Sequence, residues 1–490
     1  MKIDLPVPKD VSRITETLKN KGFLAYLVGG CTRDVILGIK PKDWDVTTNA
    51  TPEQIVELFP KTFYENDFGT VTVVNEEVTD ETLKNVEITP FRTETTYSDF
   101  RHPDKVEFSD KLEDDLKRRD FTINAIAYDP TSGELVDLYG GVADLQAKTI
   151  KAVGSPDQRF KEDALRMLRA VRLATQLGFT INVETTESVL RNANLLKNIS
   201  KERIRDEFFK IIMSNSPMAG LILAQHIGIL RFIAPELEEG RGVEQKGDHI
   251  YDVWEHCLRA LQHAADRGFT SNVRLAALLH DVGKPKTRRW DKEKGEWTFY
   301  GHEVVGERMA KKILTDLKFS NKTIESVDKL VRNHMFFTDI EQITLSAVRR
   351  IVKNVGPELI WELMDVRMCD RIGMGRPKED PYKLRKYQSM IEEAMRQPTS
   401  VGMLKIDGET IMKVSRQTPG PKIGFILHAL LEEVLEDPNL NTEEYLQKKA
   451  IELAKLDVDE LKKLGESGKE KKEEVEKKEL SKIRSKHRVK

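Results

Sequence analysis

The sequence is poor in cysteine and has no long apolar run. Its three cysteines, Cys31, Cys257 and Cys369, lie far apart in 490 residues with no Cys-x-x-Cys pair. This spacing disfavours a disulfide framework and a structural zinc site, and it fits a reducing compartment. The longest uncharged apolar stretch, residues 218–230, is shorter than the ~20 residues that span a bilayer, and the N-terminus has no apolar signal core. We therefore expect a cytoplasmic protein with no membrane contact.

The sequence also lacks an excess of charge of either sign. Lys and Arg number 79 and Asp and Glu 81, which gives a net charge of −2. Any nucleic-acid binding must therefore depend on local basic patches. With 39% hydrophobic and 33% charged residues, the chain is too long for one core and too apolar for disorder. These values exclude a small module and predict several domains.

The pattern along the chain changes from mixed to helical. Residues 1–150 combine helical periodicity with short β-branched runs, which predicts an α+β head. From Asp163 onward the period stays near 3.6, so the predicted fold class is an α+β head followed by all-α domains. We place these domains at 151–240, 241–375 and 376–455, with a short hairpin between 285 and 301. Residues 456–490 form a charged extension, for which we expect a frayed helix or disorder from Glu466 on.

A carboxylate pair in the head predicts metal-dependent chemistry. Asp43 and Asp45 flank Trp44, so on a strand both carboxylates lie on one face and the indole turns into the core. An isolated Asp-x-Asp is usually a solvated pair. Here Gly29, Gly30 and Arg33 precede it, where a Gly-Gly turn lets backbone N–H groups approach a triphosphate. Two-metal phosphoryl transfer uses such a pair to hold Mg²⁺, and Glu87 is a candidate third ligand.

Four further motifs occur in order: FRTE at 91–94, RRDFTINA at 118–125, DLYGG at 137–141 and EDALR at 162–166. With the Gly-Gly and Asp-x-Asp segments, they resemble the class II tRNA nucleotidyltransferases, or CCA-adding enzymes, of the polymerase-β-like superfamily. The resemblance implies a nucleotidyltransferase head with Arg119, Asp120 and Asn124 in the nucleotide site. It also implies a nucleotide-switching loop at residues 97–103, where Phe100 replaces the expected glycine.

Asp163, Arg166, Arg169 and Arg172 recur every third residue on one predicted helix. One reading is a solvated ion-pair ladder. The other is base selection: cytosine and adenine both present an amino donor beside a ring acceptor, which a carboxylate and a guanidinium can read. The resemblance assigns this task to Asp163 and Arg166, with Arg169 and Arg172 near the base or the phosphates. The head would then bind CTP and ATP without a template.

Imidazole and carboxylate groups recur through the helical middle in the order His, His-Asp, His, His, Asp. They resemble the HD phosphohydrolase superfamily, and this donor mixture suits one or two ions such as Mn²⁺, Ni²⁺ or Fe²⁺. Lys284 is a candidate phosphate contact. The alternative is a domain that keeps metal for structure or has lost turnover. The predicted metal ligands are His256, His280, Asp281, His302, His334 and Asp370.

The predicted reaction is template-independent addition of CMP and AMP to the tRNA 3′ end. The HD domain would remove terminal phosphates or open 2′,3′-cyclic phosphates. A Pro-Gly-Pro segment at 419–421 resembles the tRNA-binding tail of related bacterial enzymes. The alternatives are an enzyme that adds only A or only CC, a poly(A) polymerase, and an HD phosphohydrolase whose head merely binds RNA.

Overall fold

The computed structural model describes residues 2–65, 69–94, 106–245, 249–335, 343–395 and 401–489. The strands are short and concentrate in the first 150 residues. They are β1 Ala25–Val28, β2 Trp44–Thr48, β3 Thr62–Glu65, β4 Thr70–Val74, β5 Asn85–Pro90, β6 Arg92–Glu94, β7 Val106–Phe108, β8 Ile126–Asp129, β9 Glu134–Asp137, β10 Thr149–Ile150, β11 Thr180–Ile181, β12 Arg289–Asp291 and β13 Glu296–Thr298. The predicted switching loop at 97–103 lies outside the described residues.

Helices connect the strands of the head and form most of the remaining chain. In the first half of the chain they are α1 Lys9–Asn20, α2 Gly30–Ile36, α3 Pro52–Leu58, α4 Glu81–Lys84, α5 Leu112–Lys117, α6 Gly141–Gln146, α7 Pro156–Glu162, α8 Leu165–Leu177, α9 Val183–Asn192, α10 Lys201–Ile212 and α11 Pro217–His226. The later ones are α12 Val253–Asp266, α13 Ser271–Leu279, α14 Lys284–Thr287, α15 His302–Asp316, α16 Asn321–Asn333, α17 Leu345–Val355, α18 Ile360–Gly373, α19 Tyr382–Met395, α20 Gly408–Ser415, α21 Pro421–Glu436, α22 Glu443–Leu453 and α23 Val458–Lys486. The predicted class, an α+β head followed by helical domains, is confirmed.

The head is built on one seven-stranded sheet in the order β3-β4-β5-β2-β1-β8-β9. Strand β2 lies in the middle and pairs with β5 in parallel and with β1 antiparallel. The parallel register sets Asp45 beside Glu87. Alternation along β2 turns Trp44, only 2% exposed, into a core that includes Leu27, Val46 and Ile88. The sheet therefore holds acidic side chains on one face and the apolar core on the other.

The chain divides into two compact units. The first contains Met1–His334 and Asp365–Pro377, and the second contains Met335–Met364 and Lys378–Lys490. In the first unit, β12 and β13 form the hairpin predicted between α14 and α15, with Trp290 opposite Trp297. In the described part of the chain, no helix is both long and apolar enough to cross a membrane.

The second unit has its own apolar core, formed by α20 to α23 and including Ile411, Leu430 and Leu446. Helix α23 occupies most of the charged extension, so of the two expected states, a frayed helix or disorder, the described backbone has the helix. Asp457 caps this helix in a reciprocal capping box with Glu460. Near its end, His487 Nε2 lies 2.7 Å from Glu392 on α19. Capping and this contact offset the low apolar content on which the expectation of disorder depended.

Candidate functional site

The carboxylate pair lies at the entry to β2. Asp45 belongs to the strand and is partly buried, while Asp43 is exposed and precedes the first strand residue. We expected both on the strand, so only Asp45 is held by the sheet ladder. Burial raises the pKa of Asp45 to about 7; Arg119 opposes the shift, and the carboxylates of Asp43 and Glu87 add to it. A bound cation would stabilise the charged form of such a carboxylate more than it would that of an exposed one.

Asp45 opens into a cavity of about 390 Å³ rich in guanidinium groups. Two acidic side chains and four arginines line it. This excess of positive charge suits an anion of several charges that binds together with a metal cation. Glu87 reaches the cavity, but it does not form a close three-carboxylate group with Asp43 and Asp45 among the described residues. The lining residues are Val28, Asp45, Val46, Thr70, Glu87, Thr89, Arg92, Arg118, Arg119 and Arg169.

Gly29 lies where Arg119 and Asp45 approach the backbone. Its φ of +80° favours glycine, and a Cβ at this position would lie 3.2 Å from both Arg119 Nη1 and Asp45 Oδ2. Gly30 begins α2, and a Cβ there would lie 3.7 Å from Arg33 Nη2. Gly29 therefore keeps the backbone close to a cation and an anion of the predicted site.

Asp115, which the sequence analysis missed, orients two arginines of the cavity. Its side chain is fully buried. It accepts from Arg118 Nε and Nη2 at 2.9 and 2.6 Å, and from Arg119 Nε and Nη2 at 3.2 and 2.9 Å. Burial raises the pKa of Asp115, but the two guanidinium groups outweigh it and lower the pKa to about 2. The acidic run before Arg118 was the available signal.

A chain of polar contacts joins four of the predicted nucleotide-site residues. Arg33 Nη1 donates to Asn124 Oδ1 at 2.8 Å, and Asn124 Nδ2 donates to Asp120 Oδ1 at 3.1 Å. Asp120 Oδ2 in turn forms an ion pair with Arg169 Nη2 at 2.9 Å. The structure therefore brings Arg33, Asn124, Asp120 and Arg169 together, and Asp120 and Asn124 hold the arginines.

The predicted base-selecting row is not one helix. Helix α7 ends at Glu162, Asp163 has extended backbone angles (φ −138°, ψ 103°), and α8 begins at Leu165. The Asp163 carboxylate pairs with Arg203 Nη2 on α10 at 2.8 Å. The residues between α7 and α8 include no proline or glycine, and the 3.6-residue period continues across them. The sequence therefore gave no sign that a helix ends there.

The three arginines of the row also have separate partners, which rules out a simple ladder along one helix. Arg166 donates to Glu162 Oε2 at 2.7 Å and to the Arg118 carbonyl at 2.9 Å, and so joins α8 to the end of α5. Arg169 pairs with Asp120, as described above. Arg172 pairs with Glu207 on α10.

The six predicted ligands of the helical middle converge in one buried place. Asp281 lies at its centre, with Oδ2 3.0 Å from His256 Nε2 and Oδ1 3.2 Å from His302 Nε2. His280, His334 and Asp370 complete two close groups, one of His256, His280 and Asp370 and one of Asp281, His302 and His334. Both oxygens of Asp281 are buried without a hydrogen-bond partner, although Lys284 forms an ion pair with Oδ2. The donor set fits one or two metal ions, which these six residues would hold.

Backbone contacts set the orientation of three imidazoles. The Nδ1 atoms of His280, His302 and His334 lie 2.7–2.9 Å from the carbonyls of Ala277, Phe299 and Val331. Nδ1 therefore carries the proton, and Nε2 turns towards Asp281. Burial lowers the pKa of His280, but Asp281 and Asp370 outweigh it and raise the pKa to about 10. Metal binding at this centre would release a proton.

Two further residues at this centre were missed by the sequence analysis. Gln245 accepts from Lys284 Nζ at 2.6 Å, and His249 Nε2 lies 3.5 Å from the same amine. His249 also forms a close group with His256 and Asp281. Burial, then the charges of Lys284 and His256, lower the pKa of His249 to about 4. Gln245 and His249 both precede α12 and lie outside any helix or strand. No periodic pattern in the sequence therefore indicates that they contact Lys284.

Comparison with known proteins matches three regions of the chain to described families. Family profiles match residues 25–151 (Poly A polymerase head domain), 178–240 (Probable RNA and SrmB- binding site of polymerase A) and 253–375 (HD domain). A CCA-adding enzyme of Lactiplantibacillus plantarum is 32% identical over 425 residues, 86% of this chain and 90% of the relative. One of Ligilactobacillus salivarius is 46% identical over 209 residues, which are 42% of this chain and 50% of that protein.

A solved structure extends the likeness to the fold. The CCA-adding enzyme of Bacillus stearothermophilus in complex with CTP has a TM-score of 0.60 and 26% identity, over 91% of this chain and 96% of that one. The resemblance on which the predictions depended is thus confirmed. The chain belongs to the family of CCA-adding enzymes.

Proposed function

We propose that the head adds CMP and AMP, without a nucleic-acid template, to the 3′ end of tRNA. CCA addition is the activity for which the relatives are named, and one solved neighbour holds CTP. The observation that carries the proposal is Asp45, a partly buried carboxylate with a raised pKa that opens into an arginine-lined cavity. A nucleoside triphosphate bound with a cation matches this distribution of charge.

Asp43 and Asp45 would hold Mg²⁺, which when bound stabilises the charge that develops on the reacting phosphate. Arg119, oriented by Asp115, would bind the triphosphate beside Gly29. In the reaction the RNA 3′-hydroxyl oxygen loses its proton to solvent and forms a bond to the α-phosphorus, while the bond from this phosphorus to the pyrophosphate oxygen breaks and pyrophosphate leaves. The chain's own contribution is to bind and orient the triphosphate so that the two oxygens lie in line.

Base choice would depend on Asp163 and Arg166. Asp163 would accept from the exocyclic amine of cytosine or adenine, since Arg203 holds its carboxylate in place. Arg166 would donate to the ring acceptor, and uracil or guanine would offer neither group a complementary atom. Arg169 and Arg172 would hold this surface through Asp120 and Glu207. Gly30, Arg33 and Asn124 would support the triphosphate side of the site.

The test is incorporation of labelled CTP and ATP by the variant Asp45→Asn. We expect loss of both additions, by at least ~10³-fold, because the cation site loses its buried charge. Glu53→Gln, which neutralises an exposed carboxylate of the head, is the matched control and should keep full activity. A folded Asp45→Asn protein with normal incorporation would refute the assignment.

We propose a second activity for the HD centre, hydrolysis of phosphate esters at RNA ends or on nucleotides. The geometry around Asp281, with imidazoles on both sides of one carboxylate, supports it. His256, His280, His302, His334, Asp281 and Asp370 would hold Mn²⁺, Ni²⁺ or Fe²⁺, which would supply Lewis acidity. With a 2′,3′-cyclic phosphate, water adds across one P–O bond and leaves a phosphomonoester and a free hydroxyl. Lys284 would contact the phosphate.

The two activities can be separated by substitution. Asp281→Asn should abolish metal-dependent release of product from 2′,3′-cyclic nucleotides and keep CCA addition. Asp45→Asn should do the reverse. Hydrolysis that persists in Asp281→Asn, or that no added metal supports in the wild type, would contradict the second activity.

We propose a domain division to match these two activities. The nucleotidyltransferase head would be residues 1–150, the helical neck 151–240, the HD domain 241–375 and the tRNA-binding tail 376–455, with the extension at 456–490. Action on tRNA implies a cytoplasmic location, which remains a prediction.

A further inference from the structure

The β12–β13 hairpin is anchored at both ends in the HD centre. It follows Lys284, which pairs with Asp281, and it precedes His302, whose Nε2 lies 3.2 Å from Asp281 Oδ1. Two strands alone bury little surface and are marginally stable in water. A hairpin fixed at both ends beside a predicted active centre is well placed to contact a substrate there.

The hairpin presents aromatic rings and cations on its surface. Trp290 and Trp297 are directly opposite, with ring centroids 5.2 Å apart at 74°. The Arg288 guanidinium covers the Trp297 ring at 4.0 Å. Even so, Trp290 is 49% exposed and Tyr300 is 72% exposed. The cross-strand pair stabilises the hairpin, yet it leaves large aromatic surface in water.

Phe299 connects this aromatic surface to the predicted active centre. Its carbonyl lies 2.8 Å from His302 Nδ1, and its ring centroid lies 5.8 Å from Lys284 Nζ. Trp297 is two residues away on β13. The aromatic surface of β13 therefore continues, through Phe299, to the amine that pairs with Asp281.

Charge on the hairpin favours a nucleic acid over a protein as the occupant. Residues 284–301 carry six Lys or Arg and three Asp or Glu. The cations Lys286, Arg289, Lys292 and Lys294 are exposed. Aromatic rings interspersed with cations suit bases and phosphates of a single strand, which bind by stacking and by charge.

We propose that this hairpin binds the single-stranded 3′ end of an RNA, stacks a terminal base on Trp290 and directs the terminal phosphate to the HD centre. The inference rests on the proposed HD activity and names its substrate class. Trp290 acts as a positioning residue. Its effect should therefore appear with substrates that carry a terminal base and be small with those that carry none.

The experiment compares three substrates with Mn²⁺ and the full-length protein: a trinucleotide ending in a 2′,3′-cyclic phosphate, cyclic 2′,3′-CMP and glycerol 1,2-cyclic phosphate, an ester with no base and no aromatic ring. Trp290→Ala should lower kcat/KM for the trinucleotide by about tenfold relative to the base-free ester, through KM. Trp290→Phe should restore most of the loss, since it keeps a ring. Trp361→Ala, at a tryptophan 39% exposed elsewhere, is the matched control and should not change the ratio.

Other outcomes overturn the inference. Equal losses on all three substrates would indicate a structural role, and a loss confined to cyclic 2′,3′-CMP would indicate a free nucleotide. If the wild type hydrolyses none of them, the proposed HD activity fails, and photo-crosslinking of an RNA with 3′-terminal 4-thiouridine decides about the hairpin. A crosslink within residues 288–300 supports the contact. No crosslink there refutes it and makes a protein the next occupant to test.

Discussion

The substitution Asp115→Asn tests whether a buried carboxylate organises the triphosphate site. Asp115 holds Arg118 and Arg119 through four hydrogen bonds, and asparagine keeps its shape but loses its charge. Removing one partner of a buried ion pair costs about 3–5 kcal/mol. The pKa gives a similar figure: a fall from 3.8 to about 2 corresponds to about 2–3 kcal/mol at neutral pH.

The sign of the pH dependence follows from that lowered pKa. The stabilisation is complete above pH 3.8, the ordinary pKa of the group, and is lost as the pH falls through about 2. The Asp115→Asn variant should therefore be less stable than the wild type at pH 7, and the difference should vanish near pH 2. It should also raise the KM for CTP and ATP together, because Arg119 loses its orientation.

Urea unfolding that is monitored by hydrogen exchange of the backbone amides in β2 and β5 reports on the head alone. A loss of about 3 kcal/mol should lower the midpoint by roughly 1–2 M urea. Glu113→Gln, an exposed carboxylate on the same helix, is the matched control and should change neither the midpoint nor KM. An Asp115→Asn protein with an unchanged midpoint and unchanged KM values would refute the reasoning.

Three further predictions concern the predicted nucleotide site. Gly29→Ala should lower nucleotide incorporation at least tenfold, because φ is +80° and the new Cβ would lie 3.2 Å from Arg119 and from Asp45. Incorporation of CTP equal to that of the wild type would contradict this. Asp163→Ala should relax nucleotide choice more than it lowers triphosphate affinity. Arg203→Ala should have the same effect more weakly, because the Asp163 carboxylate loses the partner that holds it. Unchanged selectivity of both variants in a four-nucleotide competition would exclude this role. Mg²⁺ affinity measured by calorimetry should rise with pH up to about 7. The pKa of Asp45 is raised, so below that pH a proton competes with the metal for its carboxylate. An affinity independent of pH from 5.5 to 8 would contradict this prediction.

Local patterns were enough to predict the strand that carries Asp45. The alternation around Trp44 sets side chains on opposite faces whatever the rest of the chain does. The hairpin at 289–298 was predicted for the same reason, since its turn and aromatic pair are local. The motif order in turn predicted which groups would converge at Asp281.

Long-range partners could not be predicted. Arg203 lies 40 residues beyond Asp163, and Glu207 lies 35 beyond Arg172. Such pairs depend on how helices pack, which periodicity does not encode. The break at Asp163 was hidden as well, because it has no proline or glycine. His249 was missed because a histidine in an irregular segment carries no signal of its distance to Lys284.

The most direct test of the proposed function is incorporation of labelled CTP and ATP, with Mg²⁺, into tRNA transcripts that end before the CCA, after one C and after CC. We predict addition of C, C and A to the shortest transcript and completion of the other two. ATP addition confined to the transcript ending in CC would identify an enzyme that adds only A, and CTP addition that stops before A would identify one that adds only CC. Absence of incorporation into all three transcripts by folded protein would contradict the central claim.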